Sequence, residues 1–425
     1  MIYSETEILR YVEENDVKFI KLTFCDINGN LKNVSVLSSE LSSVFANGAR
    51  ITAKKIQGFS IADGKDLFLF PDPQTMTVLP WRPQQGRVIR MFCYIKYADG
   101  SFFEGDGRYF LKTAMKTAVA KGYCTRFGTS SEFCLFRTDE TGKPTKTPHD
   151  YAGYCDTAPE DKGENIRRDV CITLEQMGIH PVSSRHESGN GQHEIDFNSA
   201  SALQSADNFL SFKSAVKSVA RQHGVHASFM PKPVRNDHGN GMHVSFNIFR
   251  DSDFFNNDIP QNNAEIHESA TAGIMKYIRD FAVFTNSIVN SYHRLGEFSA
   301  PRNITWSRCE NNQLIRIDDS ESPFVLRVAD CACNPYYVFG LMIYSALDGI
   351  ENNLKLPPEN TSSGEKLPSN ISEAVEIAEK SDFLKKYIPE KVLSLILDER
   401  KTEWKEYSSA YDKEAFEDKK YFYII

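Results

Sequence analysis

The sequence predicts an α+β protein in two parts. A small N-terminal α+β unit precedes a larger domain in which a curved sheet, flanked by helices, surrounds a polar cavity. Three observations predict it. Over residues 1 to about 100, one helical stretch is followed by short strand-like runs and an Asn-Gly turn. From residue 109 onward, strand-like and helix-like stretches alternate to the C-terminus. Several of the later strands carry one apolar face and one face offering Glu, His or Arg, where an ordinary core strand is apolar inside and solvated outside. The same faces would also suit strands that are simply wet on one side.

In the first part, Glu5 to Glu14 has helical spacing and Val17 to Phe24 reads as a strand. The turn at Asn28-Gly29 returns the chain as a second strand, Leu31 to Val36. Lys55 to Gly64 is a glycine-bearing loop, and Asp66 to Pro73 and Arg87 to Ile95 are further extended runs. A boundary falls near Gly105, giving domains 1–104 and 105–425. Tyr109 to Ala120 opens the second domain as a helix, with apolar residues at Phe110, Leu111, Ala114, Met115 and Ala118. Strands are expected at Tyr123–Phe127, Glu132–Arg137, His193–Phe197, His226–Met230, His243–Ile248 and Phe324–Val328. Long helices are expected at Asn165–Met177, Ser205–His223, Ile266–Tyr292, Pro335–Asn352 and Lys391–Tyr407. Pro357 to Asn370 reads as a surface loop.

Composition narrows the classes of function. The 425 residues allow two domains with a large core, and a net charge of −8 argues against a nucleic-acid or anionic-membrane partner. No apolar run is long enough to span a bilayer, and the N-terminus has no signal-peptide pattern. Nine cysteines without ligand spacing fit reduced thiols and a cytoplasmic setting.

The most informative stretch is Arg185 to Phe197, in which Glu187 and Glu194 flank a Ser-Gly-Asn-Gly turn. Such a turn brings both glutamates to one cation-sized space, and oxygen ligands suit Mg2+ or Mn2+. A solvent-facing polar hairpin would show the same pair. Alternation places Ser130, Glu132 and Cys134 on one strand face, His243, Ser245 and Asn247 on another, and Val325 with Arg327 on a third. His186 and His193 read as structural neighbours of the glutamates.

Ordered motifs along nearly the whole chain resemble the glutamine synthetase family. They are Lys65 to Asp72, Gly128 to Phe136, His186-Glu187, Gly191 to Glu194, Gly239 to His243, Asn290 to Leu295, and Arg327 through Asn334-Pro335-Tyr336. The resemblance implies a β-grasp-like N-terminal domain and a catalytic domain with a curved antiparallel sheet. It implies a homo-oligomer of stacked rings with active sites shared between neighbours. The implied reaction uses ATP to phosphorylate a small-molecule carboxylate, which an amine then attacks.

The resemblance also implies roles for single residues. Glu132, Glu187 and Glu194 match the ligands of a first metal position, and His243 matches one ligand of a second. Arg294 and Arg327 match arginines that hold the carboxylate substrate and the transferring phosphoryl group. Tyr154, His238 and Gly239 fall at substrate-pocket positions. Arg316, Ser245 and Asn247 fall on the nucleotide side, and a further phosphate-facing arginine position is Asn311 here.

Besides Asn311, and besides Ser245 and His238, which stand where the family has His and Asn, four positions depart from the pattern. The other two ligands of the second metal are Ser130 and Val325, so a second ion is not expected. The aspartate that helps deprotonate ammonium is Gln57, and the flap glutamate is Ser299 with Glu297 close by. Three readings follow, in this order. The first is a ligase that joins ammonia, or rather another amine, to the carboxylate. The second is a non-catalytic homologue that binds a metabolite or regulates. The third is a one-metal hydrolase on the same fold.

Overall fold

The computed structural model describes residues 3–82, 85–250, 264–310, 312–317, 324–361 and 364–425. Two compact units divide the chain, residues 1–110 with 171–180 and residues 111–170 with 181–425.

The first unit begins with α1 (Glu5–Glu14), closed by a capping box in which Ser4 and Glu7 each bond the other's backbone N–H. Its strands are β1 (Val17–Cys25), β2 (Leu31–Leu37), β3 (Ala49–Ile51), β4 (Leu67–Pro71), β5 (Thr77–Val78) and β6 (Arg87–Tyr97). They form a sheet in the order β2-β1-β6-β4-β3, with β5 paired to β6. Asp26 sets the first hairpin by accepting the N–H groups of Asn28 and Asn30. The central pair, β1 with β6, is parallel and the others are antiparallel. A parallel centre is buried, and Ile20, Leu22, Ile89, Met91 and Ile95 are fully covered. This is the small α+β unit the sequence predicts, with the β-grasp-like form that the resemblance implies. The helix α2 (Leu41–Asn47), short and uncapped by any side chain, is a feature the pattern did not reveal.

The second unit is built on one long strand, β7 (Tyr123–Thr138). Two strands were expected here, Tyr123–Phe127 and Glu132–Arg137. The small polar residues between them stay extended because ladders hold them from both sides. The strand Met242–Arg250 pairs along Tyr123–Ser131, and the strand Gln192–Phe197 along Ser130–Cys134. The other members are β8 (Pro144–Pro148), β9 (Pro181–His186), β10 (Gln192–Phe197), β11 (Ala200–Ser201), β12 (Val225–Ser228), β13 (Met242–Arg250), β14 (Trp306–Ser307), β15 (Ile315–Arg316) and β16 (Phe324–Leu326). Their main order is β14-β15-β16-β13-β7-β10-β9, antiparallel except for the two-residue pair β14·β15.

After α3 (Gly107–Ala120) and α4 (Glu164–Gln176), helices α5 (Ala202–Gln222) and α8 (Pro335–Glu351) supply much of the apolar cover, and α8 starts at the Asn334 cap followed by Pro335. The expected helix Ile266–Tyr292 is instead three pieces: α6 (Ala264–Tyr277), α7 (Ala282–Thr285) and a 3-10 turn, Val289–His293. Buried side chains compete with the helical ladder there. Asn286 donates to the carbonyl of Val328, and Asn290 bonds both backbone groups of Lys232. That break sets the course of the chain into Arg294. Among the described residues no helix is long and apolar enough to cross a membrane.

Candidate active site

The hairpin β9–β10 aligns the acidic residues. Glu194 lies opposite Glu132 on one side and Arg185 on the other, and Asp196 lies opposite Ser130 and Ser183. The turn is held by Gln192, whose Oε1 accepts from Gly189 and whose amide donates to Gly239 and Asn240. Gly191 has φ +60°, and a Cβ there would stand 2.7 Å from the Leu135 carbonyl, so only glycine fits. The acidic hairpin is thus tied to the glycine loop that leads into β13, not splayed into solvent.

That loop lets three groups approach each other. A Cβ on Gly241 would lie 3.1 Å from Arg294 Nη1, 3.3 Å from His243 Nε2 and 3.5 Å from Glu132 Oε2. Glu132 Oε2 accepts the Gly241 N–H at 2.6 Å. Arg294 is 4% exposed and anchored through Nη2, which donates to the carbonyls of Val328 (2.5 Å) and Ala329 (2.9 Å). Its Nη1 is left facing Gly241. Arg327, half-buried beside it, feels Glu132 and Glu194 as well as Arg294, and burial holds its guanidinium below the usual range.

One ligand atom each from Glu132, Glu194 and His243 lie within 4.8 Å of one another. Burial, helped by the repulsion of Glu187, pushes Glu132 up to about 7, against the pull of the Gly241 N–H and of Arg294 and Arg327. Burial and then Glu132 push Glu194 up to about 10, against the pull of Arg185. Burial and the nearby arginines hold His243 well below its ordinary value, so its imidazole is neutral and free to act as a ligand. Glu194 Oε1 is buried and has no hydrogen-bond partner among the described residues, with His243 Nδ1 3.8 Å away. Crowded carboxylates, an orphaned acceptor and a neutral imidazole fit a divalent cation. Glu187 reaches the cluster at Glu194 but also accepts from Arg185 Nε at 2.9 Å.

Ser130 and Val325 flank His243 as cross-strand neighbours, Ser130 opposite His243 and Val325 opposite Ser245. Arg316 lies opposite Val325 on the next strand. Gly128 faces Ser245 so closely that a Cβ would stand 2.5 Å from its hydroxyl oxygen. Asn247 follows on the same face of β13. His238 stacks on Phe298 with ring centres 4.1 Å apart, and Gly239 packs under the Arg294 side chain. Tyr154 and Ser299 are exposed. Glu297 pairs with buried Lys232 at 2.5 Å. Gln57 is an exposed residue of the first unit, next to Gly58 with φ +81°. Asn311 lies outside the described residues.

A model described as the glutamine synthetase catalytic domain matches residues 104–419, and one described as the glutamine synthetase beta-Grasp domain matches residues 16–98. The chain belongs to the glutamine synthetase family. A glutamine synthetase from Clostridium saccharobutylicum is 38% identical over 424 residues, 95% of this chain and 96% of the relative. One from Methanosarcina mazei is 38% identical over 426 residues, covering 96% and 95%. Among solved structures, a GmaS–ADP complex superposes with a TM-score of 0.86 at 24% identity, over 98% of this chain and 99% of that one. Glutamine synthetase from Plasmodium falciparum gives 0.85 at 21% identity, over 99% of each. Proteins that bear the name glutamine synthetase are ATP-dependent ligases that form a carbon–nitrogen bond, and the family uses ATP with Mg2+ or Mn2+.

Sequence reasoning gave no role to Arg185 or Asp150. Arg185 takes three carboxylates. Its Nε bonds Glu187, Nη1 bonds Asp196 at 2.8 Å, and Nη2 bonds Glu194. Only part of the signal was in the sequence: Arg185 is two residues before Glu187, which puts both on one strand face, while its pairing with Glu194 comes from the hairpin register. Asp150 accepts from His186 Nε2 at 2.8 Å, a long-range contact with no local pattern. Arg167 meets His193 Nδ1 at 2.9 Å and chelates Asp161. The two histidines therefore belong to a buried network behind the glutamates.

Proposed function

We propose that this chain is an ATP-dependent ligase that activates a small carboxylate as an acyl phosphate and joins it to an amine other than ammonia. The observation that carries the reading is the convergence of Glu132, Glu194 and His243 within 4.8 Å, beside Arg294. In the reaction, a substrate carboxylate oxygen attacks the terminal phosphorus of ATP and ADP leaves. The amine nitrogen then attacks the acyl carbon, the carbon–oxygen bond breaks, and phosphate departs as the nitrogen sheds a proton. Arg294 and Arg327 neutralise the substrate carboxylate and the phosphoryl oxygens. Gly239, His238 and Tyr154 shape the carboxylate pocket, and Arg316, Ser245 and Asn247 the nucleotide side.

Glu132, Glu194 and Glu187 would hold one Mg2+ or Mn2+, with His243 beside it as the one remaining ligand of the second position; the ion would supply positive charge to the phosphoryl oxygens when bound. Ser130 and Val325 offer no carboxylate to a second ion, so the reading is of a one-cation enzyme. Gln57 and Ser299 carry no charge and provide no base for ammonium. An amine that is already neutral near pH 7, such as an aryl amine, needs no base to free its lone pair before attack, and that is why the reading favours such an amine. A cytoplasmic homo-oligomer of stacked rings, in which Gln57 serves the neighbour's site, goes with this reading.

The test is ADP release from ATP with glutamate and a panel of alkyl and aryl amines. The reading expects release that requires both carboxylate and amine, and fastest with an amine larger than ammonia. Ligand-dependent stabilisation without turnover across the panel would favour a non-catalytic homologue. Cation-dependent amide cleavage without nucleotide would favour a hydrolase.

A further inference from the structure

The guanidinium of Arg185 stands where the cation-binding carboxylates meet. Each of its three nitrogens takes a different acid: Glu187, Glu194 and Asp196. Asp196 is also bound by the hydroxyl of Ser183. The arrangement is built by the hairpin register. Arg185 and Glu187 share one face of β9 and its continuation, and Glu194 is the cross-strand partner of Arg185. Arg185 is half-buried, and it is held at both ends of its fork rather than trailing in solvent.

Glu187 and Glu194 are two of the carboxylates a divalent ion at this position would need. The pair cannot give its lone pairs fully to Arg185 and to a metal at once. We propose that Arg185 is a built-in cation at the first metal position, so that Mg2+ or Mn2+ enters only by displacing its guanidinium from Glu187 and Glu194. The positive charge is then a part of the chain and is present in the absence of free divalent metal. Glu132, which Arg185 does not touch, keeps its hydrogen bond from Gly241 and faces Arg294 and His243. The inference rests on the reading of Glu132 and Glu194 as the cation position, and it adds that a residue of this chain competes for that position.

A purely structural salt bridge would staple the hairpin and lower the melting temperature when lost, with no effect on metal. Competition predicts something a staple does not. Removing the charge should tighten metal binding. The measurement is Mn2+ binding to the purified full-length protein, read from the loss of the free-ion electron paramagnetic resonance signal, without nucleotide or substrate. The Arg185→Gln variant is expected to bind Mn2+ at least about tenfold more tightly than the wild type, equivalent to ~1.4 kcal/mol. Adding Glu194→Gln to it should abolish that gain. Should Arg185→Gln fail to fold, Arg185→Lys reads the same order, because one ammonium cannot span three carboxylates. Equal Mn2+ affinity in wild type and in the folded Arg185 variants would overturn the competition while leaving the cation position intact. A tightening that survives Glu194→Gln would show the ion bound elsewhere, and would overturn the position itself.

Discussion

Ser130→Glu combined with Val325→Glu should rebuild the second cation position. Ser130 sits directly opposite His243, and Val325 opposite Ser245, two residues along the same strand. Both are half-buried, so a glutamate at either place reaches the imidazole from its own strand face. The cost is readable from the register. A glutamate at position 130 would face Asp196, and like charges directly opposite cost ~0.2–1 kcal/mol. Arg185 already serves Asp196 and gives partial relief. Without cation, the double variant should therefore be less stable than the wild type by roughly 0.5–1 kcal/mol. With Mg2+ and a non-hydrolysable ATP analogue at about 100 times the dissociation constant, binding contributes ~2.7 kcal/mol to the folded state. In a chain of 425 residues that raises the melting temperature by roughly 3 °C. Thermal denaturation with and without metal and analogue is the assay. The wild type should respond much less. An equal shift in wild type and variant would mean that the second position binds without those carboxylates. A folded variant with no added shift would refute the geometric reasoning.

Other substitutions probe separate parts of the account. Gly241→Ala should leave the melting temperature nearly unchanged, since Gly241 is outside the left-handed region, yet cut turnover by about 100-fold. Its methyl group would stand 3.1 Å from Arg294 Nη1 and 3.3 Å from His243 Nε2, and would displace both by a few tenths of an ångström. Gln57→Asp with Ser299→Glu should raise the preference for ammonia over the larger amine by at least ~10-fold, measured as a ratio of kcat/KM values; an unchanged ratio would separate these residues from amine choice. Burial alone holds His267 down at about 4, from an ordinary 6.5. A base depressed in the folded state stabilises fully above its unfolded value, and that stability is lost as pH falls from about 6.5 to 4. The loss is ~3 kcal/mol, and His267→Phe should remove this part of the acid limb in a urea titration against pH. Identical acid limbs would show His267 to be solvated.

What the sequence revealed follows from the range of the interactions. Strands with strict alternation, such as Met242–Arg250, and the capped helix Glu5–Glu14 announce themselves because local propensity and burial agree. The family motifs brought Glu132, Glu194, His243 and Arg294 to notice from four separate stretches. The break in the expected helix Ile266–Tyr292 was not visible, because Asn286 and Asn290 are stabilised by partners at Val328 and Lys232, far along the chain. The junction of the two expected strands at Ser130 was hidden for the same reason, since its extended state depends on β10 and β13. Arg185 stands close to Glu187 in the sequence, but its pairing with Asp196 and Glu194 depends on the hairpin register. Asp150 beneath His186 had no sequence signal at all.

Activation of a carboxylate by ATP leaves one mark that no other reading does. With the carboxylate substrate labelled in both oxygens with oxygen-18, each amide formed should send one labelled oxygen into inorganic phosphate. The account predicts one oxygen-18 per phosphate released, in step with ADP and with the amine consumed. ADP and phosphate without the label, or amide without ADP, would contradict it.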